Sequence, residues 1–359
     1  MGGSSLWQHM PPGCGNTSAA SPPESQGYGR AEVLSDYRGY DLRRQWEGRG
    51  RTTRLEGELI IKLAATVDRQ RWLELGCGYG RLTPLLAGAA GEFVASDLNA
   101  EALSSVPAPA GPRHFLRVAA NLYHLPFEQD SFTVVSLIRV LHHLEDPKAA
   151  LREIFRVLAP GGSLLLSYAP KPTLGSLQQD ILQWLRGAPP GTTYTTFSRK
   201  ELDFLGETPF PVLVPRATFV HQLVGETGGM PATELGHGPE ALERFLPLAA
   251  SRALSLLFGT TLLGSTRILL CRKPGGSAGS PLVRQLSWRC PRCQVHLDPP
   301  PTGRETTTLC PQCAFPLKQT PGMIDARYIP PHARWVSAKD HGPKDDHQPT
   351  PDRWRQAPA

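Results

Sequence analysis

From position 71 onward, short apolar runs alternate with stretches in which apolar residues recur every third or fourth position. The runs predict strands at Arg71–Leu75, 93–96, His114–Ala119 and Phe132–Leu137, with a helix over 81–87 between the first two. The largely apolar run at Phe132–Leu137 suits a parallel strand covered on both faces. The next helix carries the clearest signals. Asp146 can cap it, Pro147 suits its first turn, and Leu151, Ile154, Phe155 and Leu158 form one apolar stripe. Ala159-Pro160-Gly161-Gly162 should stop it, and residues 163–168 return as a strand. Upstream, Leu55, Leu59 and Leu63 recur every four positions and predict a helix leading into this region. Strand–helix alternation of this kind implies an α/β fold with a doubly wound, mostly parallel sheet and right-handed crossovers.

The remainder is less regular. Residues 171–263 hold candidate helices at 176–185, 198–205 and 240–257 and a strand near 212–220, and residues 268–271 read as a final strand. Positions 275–280 are Gly, Ser and Ala only, the composition of a flexible linker. Residues 1–30 are rich in Gly, Ser and Pro and read as a disordered tail, as does the Pro- and charge-rich stretch from about 330. No cationic start followed by an apolar run marks a secretion signal, and the most apolar stretch, 245–264, is broken by Pro247, Arg252 and two glycines. A cytoplasmic, reducing setting is therefore expected, in which the seven cysteines are thiols or metal ligands before they are disulfides.

Charge is unevenly placed. Residues 1–271 carry 25 Lys and Arg against 25 Asp and Glu, whereas residues 272–359 carry 13 against 7. The basic excess of the last quarter suits contact with an acidic partner such as RNA, or simply a solvated tail.

The candidate chemistry lies in Trp72-Leu73-Glu74-Leu75-Gly76-Cys77-Gly78-Tyr79-Gly80, which leaves a strand and enters a helix. Glycines there let the backbone turn sharply and approach a ligand closely. The dinucleotide fingerprint G-x-G-x-x-G fails, because its last position is Arg81; the third glycine comes one residue early, at Gly80. Asp97 ends the following strand, where a carboxylate can accept hydrogen bonds from both hydroxyls of a ribose. This spacing, with Glu74 two residues before Gly76, resembles motif I of the class I S-adenosylmethionine-dependent methyltransferases. Asn121-Leu122-Tyr123-His124-Leu125-Pro126-Phe127, Leu141-His142-His143-Leu144-Glu145-Asp146-Pro147 and Arg156-Val157-Leu158-Ala159-Pro160-Gly161-Gly162 resemble later motifs of the same family, in the same order. The group including the ubiquinone- and menaquinone-biosynthesis methyltransferases is the most similar.

The resemblance implies a Rossmann-like sheet of seven strands and S-adenosylmethionine as cofactor. It places Glu74, Gly76, Cys77, Gly78, Gly80, Asp97, Leu98, Asn121, Leu122 and Ile138 around that cofactor. Two positions depart from the family: Asn121 stands where an Asp usually meets the adenine amino group, and Thr133 replaces another usual Asp. Methyl transfer needs alignment and exclusion of water more than a fixed base. His142 and His143 are the candidates for a base or an acceptor contact; the alternative is that one packs and the other faces solvent. Tyr40, Trp46 and Arg54 are candidates for a lid, or for ordinary helix packing. Ser136-Leu137-Ile138-Arg139 is not the Asn-Pro-Pro-aromatic stretch of enzymes that methylate exocyclic or amide nitrogens. No cysteine is placed for covalent attack on a pyrimidine.

Cys290-Pro291-Arg292-Cys293 and Cys310-Pro311-Gln312-Cys313 are two C-x-x-C pairs sixteen residues apart, the spacing of a zinc ribbon closed by four thiolates. Such a site leaves no open position, so its Zn2+ would be structural; the alternatives are two disulfides or four free thiols. Ala314-Phe315-Pro316 and Gly322-Met323-Ile324-Asp325-Ala326-Arg327 resemble the ending of the small zinc-ribbon proteins that activate tRNA, rRNA and translation-factor methyltransferases. The expected organisation is a tail (1–35), a methyltransferase domain (36–273), a linker (274–286), a separate zinc ribbon (287–329) and a second tail (330–359). The expected function is methyl transfer to a small molecule or to an RNA or protein of the translation machinery. The alternative is a non-catalytic adaptor of the same fold, working through its ribbon.

Overall fold

The computed structural model describes residues 33–37, 41–47, 50–144, 146–168, 170–171, 197–198, 212–219, 266–275, 285–298 and 304–337. The helices expected at 176–185 and 240–257, the one at 198–205 beyond Ser198, the apolar stretch 245–264, most of the linker and the outer parts of both tails lie outside these residues. All described residues fall within one compact unit.

The elements run β1 (Val33–Asp36), α1 (Leu42–Gln45), α2 (Gly50–Ala64), β2 (Arg71–Leu75), α3 (Thr83–Ala87), β3 (Glu92–Asp97), α4 (Ala100–Ser104), β4 (His114–Ala119), β5 (Phe132–Leu137), α5 (Pro147–Val157) and β6 (Leu158–Tyr168). There follow β7 (Pro170–Lys171), β8 (Phe197–Ser198), β9 (Val212–Phe219), β10 (Thr266–Arg272), β11 (Trp288–Arg289), β12 (His296–Leu297), β13 (Thr306–Leu309), β14 (Pro316–Thr320), β15 (Met323–Asp325) and β16 (Arg334–Ser337). The expected seven-stranded sheet is present as β4-β3-β2-β5-β6-β10-β9. Its first five strands are parallel; β10 runs antiparallel to β6 and β9 antiparallel to β10.

Strand alternation assigns the two faces. Leu73, Leu75, Val135 and Leu137 point to the side packed by Leu151, Ile154 and Val157 of α5. Trp72 and Val134 point to the side packed by Leu59, Ile60 and Ala64 of α2 and Leu86 of α3. Asp146 caps α5, its Oδ1 accepting from the Ala149 amide at 2.9 Å, with Pro147 in the first turn. Helix α5 ends at Val157, just before Ala159-Pro160-Gly161-Gly162, but the strand begins earlier than residue 163. That stretch is already strand β6, and the irregularity is absorbed as a register shift between Phe132 and Val134 of β5, with Gly161 at φ 77°.

Two further corrections concern the outer parts. The cysteine module is not a separate body on a linker. Its β15 pairs in parallel with β4, Met323 to Arg117, Ile324 to Val118 and Asp325 to Ala119, and β14 and β13 follow, so the central sheet has ten strands. A second attachment joins Trp288 to Phe127 by a β-bridge, with the Arg289 amide donating to Pro126 O and the Glu128 amide to Ser287 O, each at 3.1 Å. Trp288, Leu297, Leu317 and Ile324 are buried in the same apolar cluster as α5. The reason is general: strand β4 would otherwise present a row of unpaired amides and carbonyls at the sheet edge. The inner ends of both expected tails are also ordered, because β1 and β16 pair with each other in parallel, Val33 to Arg334 through Asp36 to Ser337.

This architecture predicts that a chain ending at residue 275 exposes the β4 edge and part of the core. Size-exclusion chromatography of that truncation should show oligomers or aggregate where the full chain elutes as a defined species; a well-behaved truncated monomer would contradict the continuous sheet.

Candidate cofactor crevice and cysteine cluster

The carboxyl ends of the parallel strands carry the candidate site. β2 ends at Leu75, and the amides of Gly76 and Cys77 both donate to Ser96 O of β3, at 2.8 and 3.1 Å. The chain then turns back, the Gly80 amide donating to Cys77 O at 2.9 Å. Gly76, Gly78 and Gly80 have φ values of 69°, 56° and 84°, a region L side chains seldom enter. Space adds a second reason at two of them. A Cβ on Gly76 would run into the Val140 side chain, and one on Gly80 would lie 2.7 Å from Val106 Cγ1.

Asp97 closes the turn. Its Oδ2 accepts from the Gly78 amide at 2.7 Å and its Oδ1 from the Asn99 amide at 2.8 Å. Burial raises its pKa, and the amides of Asn99, Gly78 and Leu98 oppose that rise. The carboxylate keeps lone-pair capacity for a hydroxyl. Glu74 lies beneath the loop, buried, with Oε2 accepting from Thr83 Oγ at 2.5 Å. Burial pushes its carboxyl up to about 7, against the pull of Thr83 and Arg81. Cys77 is buried in the turn, and burial together with the charges of Glu74 and Asp97 drives its thiol well above the ordinary range.

Of the other expected cofactor residues, Leu98 and Leu122 are half-buried and Ile138 is buried at the end of β5. Asn121 is 1% exposed. Its Nδ2 donates to Tyr328 O at 3.1 Å and its Oδ1 accepts from the Tyr123 amide at 3.1 Å. Thr133, the other departure from the family, bonds Arg71 within the sheet: its Oγ accepts from the Arg71 amide at 3.1 Å and donates to Arg71 O at 3.2 Å. His142 and His143 are half-buried in a short turn after β5, their rings 3.9 Å apart. The edge of Tyr37 meets His143 at 5.6 Å, and Ser35 Oγ donates to His143 O at 3.2 Å. Strand β1 and Tyr37 thus pass from His143 to Asn99, whose Nδ2 donates to Tyr37 O at 3.4 Å.

A charged cluster beside the loop had no signal in the sequence, because its members are scattered and follow no period. Glu56 of α2 is fully buried between Arg139, 2.9 Å from Oε1, and Arg81, 2.6 Å from Oε2. Burial alone would raise its pKa; the two guanidinium groups outweigh it and hold the carboxyl below the usual range. Arg139 follows Ile138 at φ 59°, held by its amide on Ser167 Oγ at 2.6 Å. Trp46, one of the expected lid residues, covers both cations, its ring centroid 3.9 Å from Arg81 Cζ and 5.0 Å from Arg139 Cζ. Arg54 is exposed and Tyr40 lies outside the described residues.

The four cysteines come together. Their sulfurs lie within 4.8 Å of one another, with Cys290 and Cys313 3.6 Å apart and Cys293 and Cys310 3.5 Å apart. A disulfide needs about 2.05 Å, so these separations leave the sulfurs unbonded to one another. A tetrahedron with metal–sulfur distances of about 2.3 Å has edges of roughly 3.8 Å, so the quartet fits a closed Zn2+ site. The two halves repeat one another. The amides of Gln294 and Ala314 donate to the carbonyls of Cys290 and Cys310 at 2.9 Å, and both residues sit at positive φ, 68° and 55°. At Cys310 the amides of Cys313 and Gln312 overcome desolvation and lower the thiol to about 7.

Residues 73–166 match the family model described as a methyltransferase domain. A ubiquinone/menaquinone biosynthesis C-methyltransferase UbiE from Vibrio campbellii is 34% identical over 139 residues, covering 36% of this chain and 53% of that protein. A demethylmenaquinone methyltransferase from Renibacterium salmoninarum is 29% identical over 151 residues, covering 42% and 62%. The chain thus spans little more than half the length of the curated relatives it matches. Among solved structures, a SAM-dependent methyltransferase from Thermotoga maritima aligns with a TM-score of 0.45 at 16% identity, covering 66% of this chain and 97% of that one. A complex of the Haloferax volcanii Trm112 methyltransferase activator with a methyltransferase aligns with a TM-score of 0.44 at 18% identity, covering 67% and 97%. The stretch that matches the methyltransferase-domain model and the strands of the cysteine module share one sheet.

Two outcomes follow. Glu74 has its pKa raised on folding, so its contribution to stability is present below about pH 4.5 and is lost as pH rises through about 7. Urea unfolding from pH 5 to 7.5 should show the wild type losing up to roughly 3 kcal/mol relative to Glu74→Gln; parallel profiles would contradict a buried neutral carboxyl. Elemental analysis of protein purified without chelator should find about one zinc per chain. Cys313→Ser should reduce that content and lower the melting temperature; absence of metal from wild type would remove the site.

Proposed function

We propose that the chain is an S-adenosylmethionine-dependent methyltransferase and that the glycine turn with Asp97 is its cofactor crevice. The Gly78 amide bonded to the Asp97 carboxylate carries this reading, because it sets a ribose-binding acid beside an open backbone turn. When bound, the cofactor supplies a methyl group on a sulfonium, whose departing thioether is a good leaving group. Gly76, Gly78 and Gly80 would let the amino acid end approach the main chain, and Asp97 would take the ribose hydroxyls. Glu74, two residues before Gly76 and bonded to Thr83, would support the turn from within the fold. Val140, packed against Gly76, brings the 138–143 segment to the rim, so Ile138, His142 and His143 border the place where an acceptor enters. There His142 or His143 would take a proton from an acceptor that must lose one.

The acceptor we favour is a small organic molecule. The matching relatives are named for quinone biosynthesis, and the ribbon's apolar side is buried against the core. An RNA or a translation-related protein, suggested by the basic C-terminal region, is the competing class. The intact turn argues against a purely non-catalytic adaptor. The cysteine quartet would hold Zn2+ in a structural role. Among the described residues no helix is long and apolar enough to cross a membrane.

Calorimetry with S-adenosylmethionine should show saturable binding to wild type, none with Gly76→Arg, and affinity about tenfold or more weaker with Asp97→Ala. Tritiated-methyl transfer into a fractionated cell extract should then label a low-molecular-weight fraction. Label in RNA or protein would move the assignment to the competing class, and no binding heat with intact protein would overturn the enzyme reading.

A further inference from the structure

The strand order dictates how a nucleoside lies across the carboxyl ends. The glycine turn follows β2, the ribose acid ends β3, and the next strands outward are β4 and then β15 of the ribbon. With strands about 4.8 Å apart, β15 stands roughly 10 Å from β3, within reach of a base attached to a ribose held at Asp97. A cleft of about 310 Å³ opens there. Its walls include Leu98, directly after Asp97, then Tyr37 from the segment after β1, and Phe315, Arg327, Ile329 and Trp335 from the ribbon and the chain beyond it.

We propose that the ribbon is the outer wall of the cofactor site, with the adenine ring seated in the cleft between Leu98, Tyr37 and Ile329. This rests on the S-adenosylmethionine reading above. Three observations support it. First, the side chain expected to meet adenine is engaged elsewhere: Asn121 is buried, donating to Tyr328 O and accepting from the Tyr123 amide. This also accounts for Asn in place of Asp, since a carboxylate would have no proton for the Tyr328 carbonyl. Asn121 is then a positioning residue that fixes the returning chain at 326–329. Second, that chain is fastened on both sides of the cleft. The Ala326 amide donates to Ala119 O at 2.9 Å, and Arg327 pairs with Asp325 while donating to Leu98 O at 3.4 Å. Third, it is tied to the cysteine cluster. The Tyr328 ring meets Phe315 edge-on at 5.9 Å, and Phe315 O accepts from the Cys310 amide at 2.9 Å. The cleft sets apolar and aromatic side chains beside the polar and charged Ser35, Asp36, Asn99, Lys318, Asp325 and Arg327, and the former offer the faces a flat heterocycle packs against. Since a metal at the cysteines steadies this wall, metal and cofactor should each favour retention of the other.

Photolabelling of the full-length, metal-loaded wild type with an azido-adenine analogue of S-adenosylmethionine tests the proposal. Label suppressed by unlabelled cofactor and mapped to residues 315–335 or 35–37 is expected. Alongside, Ile329→Ala should bind both S-adenosylmethionine and methylthioadenosine about tenfold more weakly while keeping its zinc. Asn121→Asp should accelerate zinc loss to a chelator, and bound cofactor should slow that loss in wild type. Suppressible label confined to 121–140, with Ile329→Ala binding like wild type, would overturn the ribbon wall and leave the cofactor assignment standing. No suppressible label and no binding by wild type would remove both.

Discussion

One hydrogen bond organises the crevice: the Gly78 amide to the Asp97 carboxylate at 2.7 Å. It joins the turn leaving β2 to the end of β3, and it exists only because Gly76, Gly78 and Gly80 hold the backbone at positive φ. The surrounding packing presupposes that turn. Val140 occupies the space a side chain at Gly76 would take, and Val106 the space at Gly80. The segment after β5 and the turn after α4 therefore close on the loop at the distance glycine permits. A crevice at the carboxyl ends of parallel strands is where open α/β sheets bind ligands, and here it is built from main chain and one acid.

Charge around the crevice is balanced in layers. Deepest is Glu56, whose desolvation is offset by Arg81 and Arg139, both stacked against Trp46. Removing one partner from such a buried group is strongly destabilising, so the cluster anchors α2, the loop and the β5 exit together. Glu74 is buried too, and desolvation, opposed by Thr83 and the field of Arg81, carries its carboxyl to about 7. The cysteine quartet solves a separate problem. Strands β13–β15 form one edge of the ten-stranded sheet, and a metal at the cysteines would stiffen the part that covers β4.

Much of this was legible in the sequence because it depends on local pattern. The apolar runs located β2, β3, β4 and β5, and Asp146-Pro147 marked the start of α5 to the residue. The glycine spacing and Asp97 gave the turn, and the C-x-x-C pairs gave the cysteine cluster. What could not be read depends on distant partners. Nothing local says that Met323–Asp325 pairs with residues 117–119, some two hundred positions earlier, or that β1 finds β16. Asn121 looked like a weakened cofactor contact; its partner, the Tyr328 carbonyl, explains the residue type and could be seen only once the ribbon was in place. Glu56, Arg81 and Arg139 were silent because buried ion pairs follow no hydropathy period.

The assignment of the crevice is tested most directly by a crystal structure of the intact chain with S-adenosylhomocysteine. The account predicts the ribose hydroxyls on the Asp97 carboxylate and the amino acid end along Gly76–Gly80. Density for the ligand at another place, or side chains filling the space above the glycine turn, would contradict it.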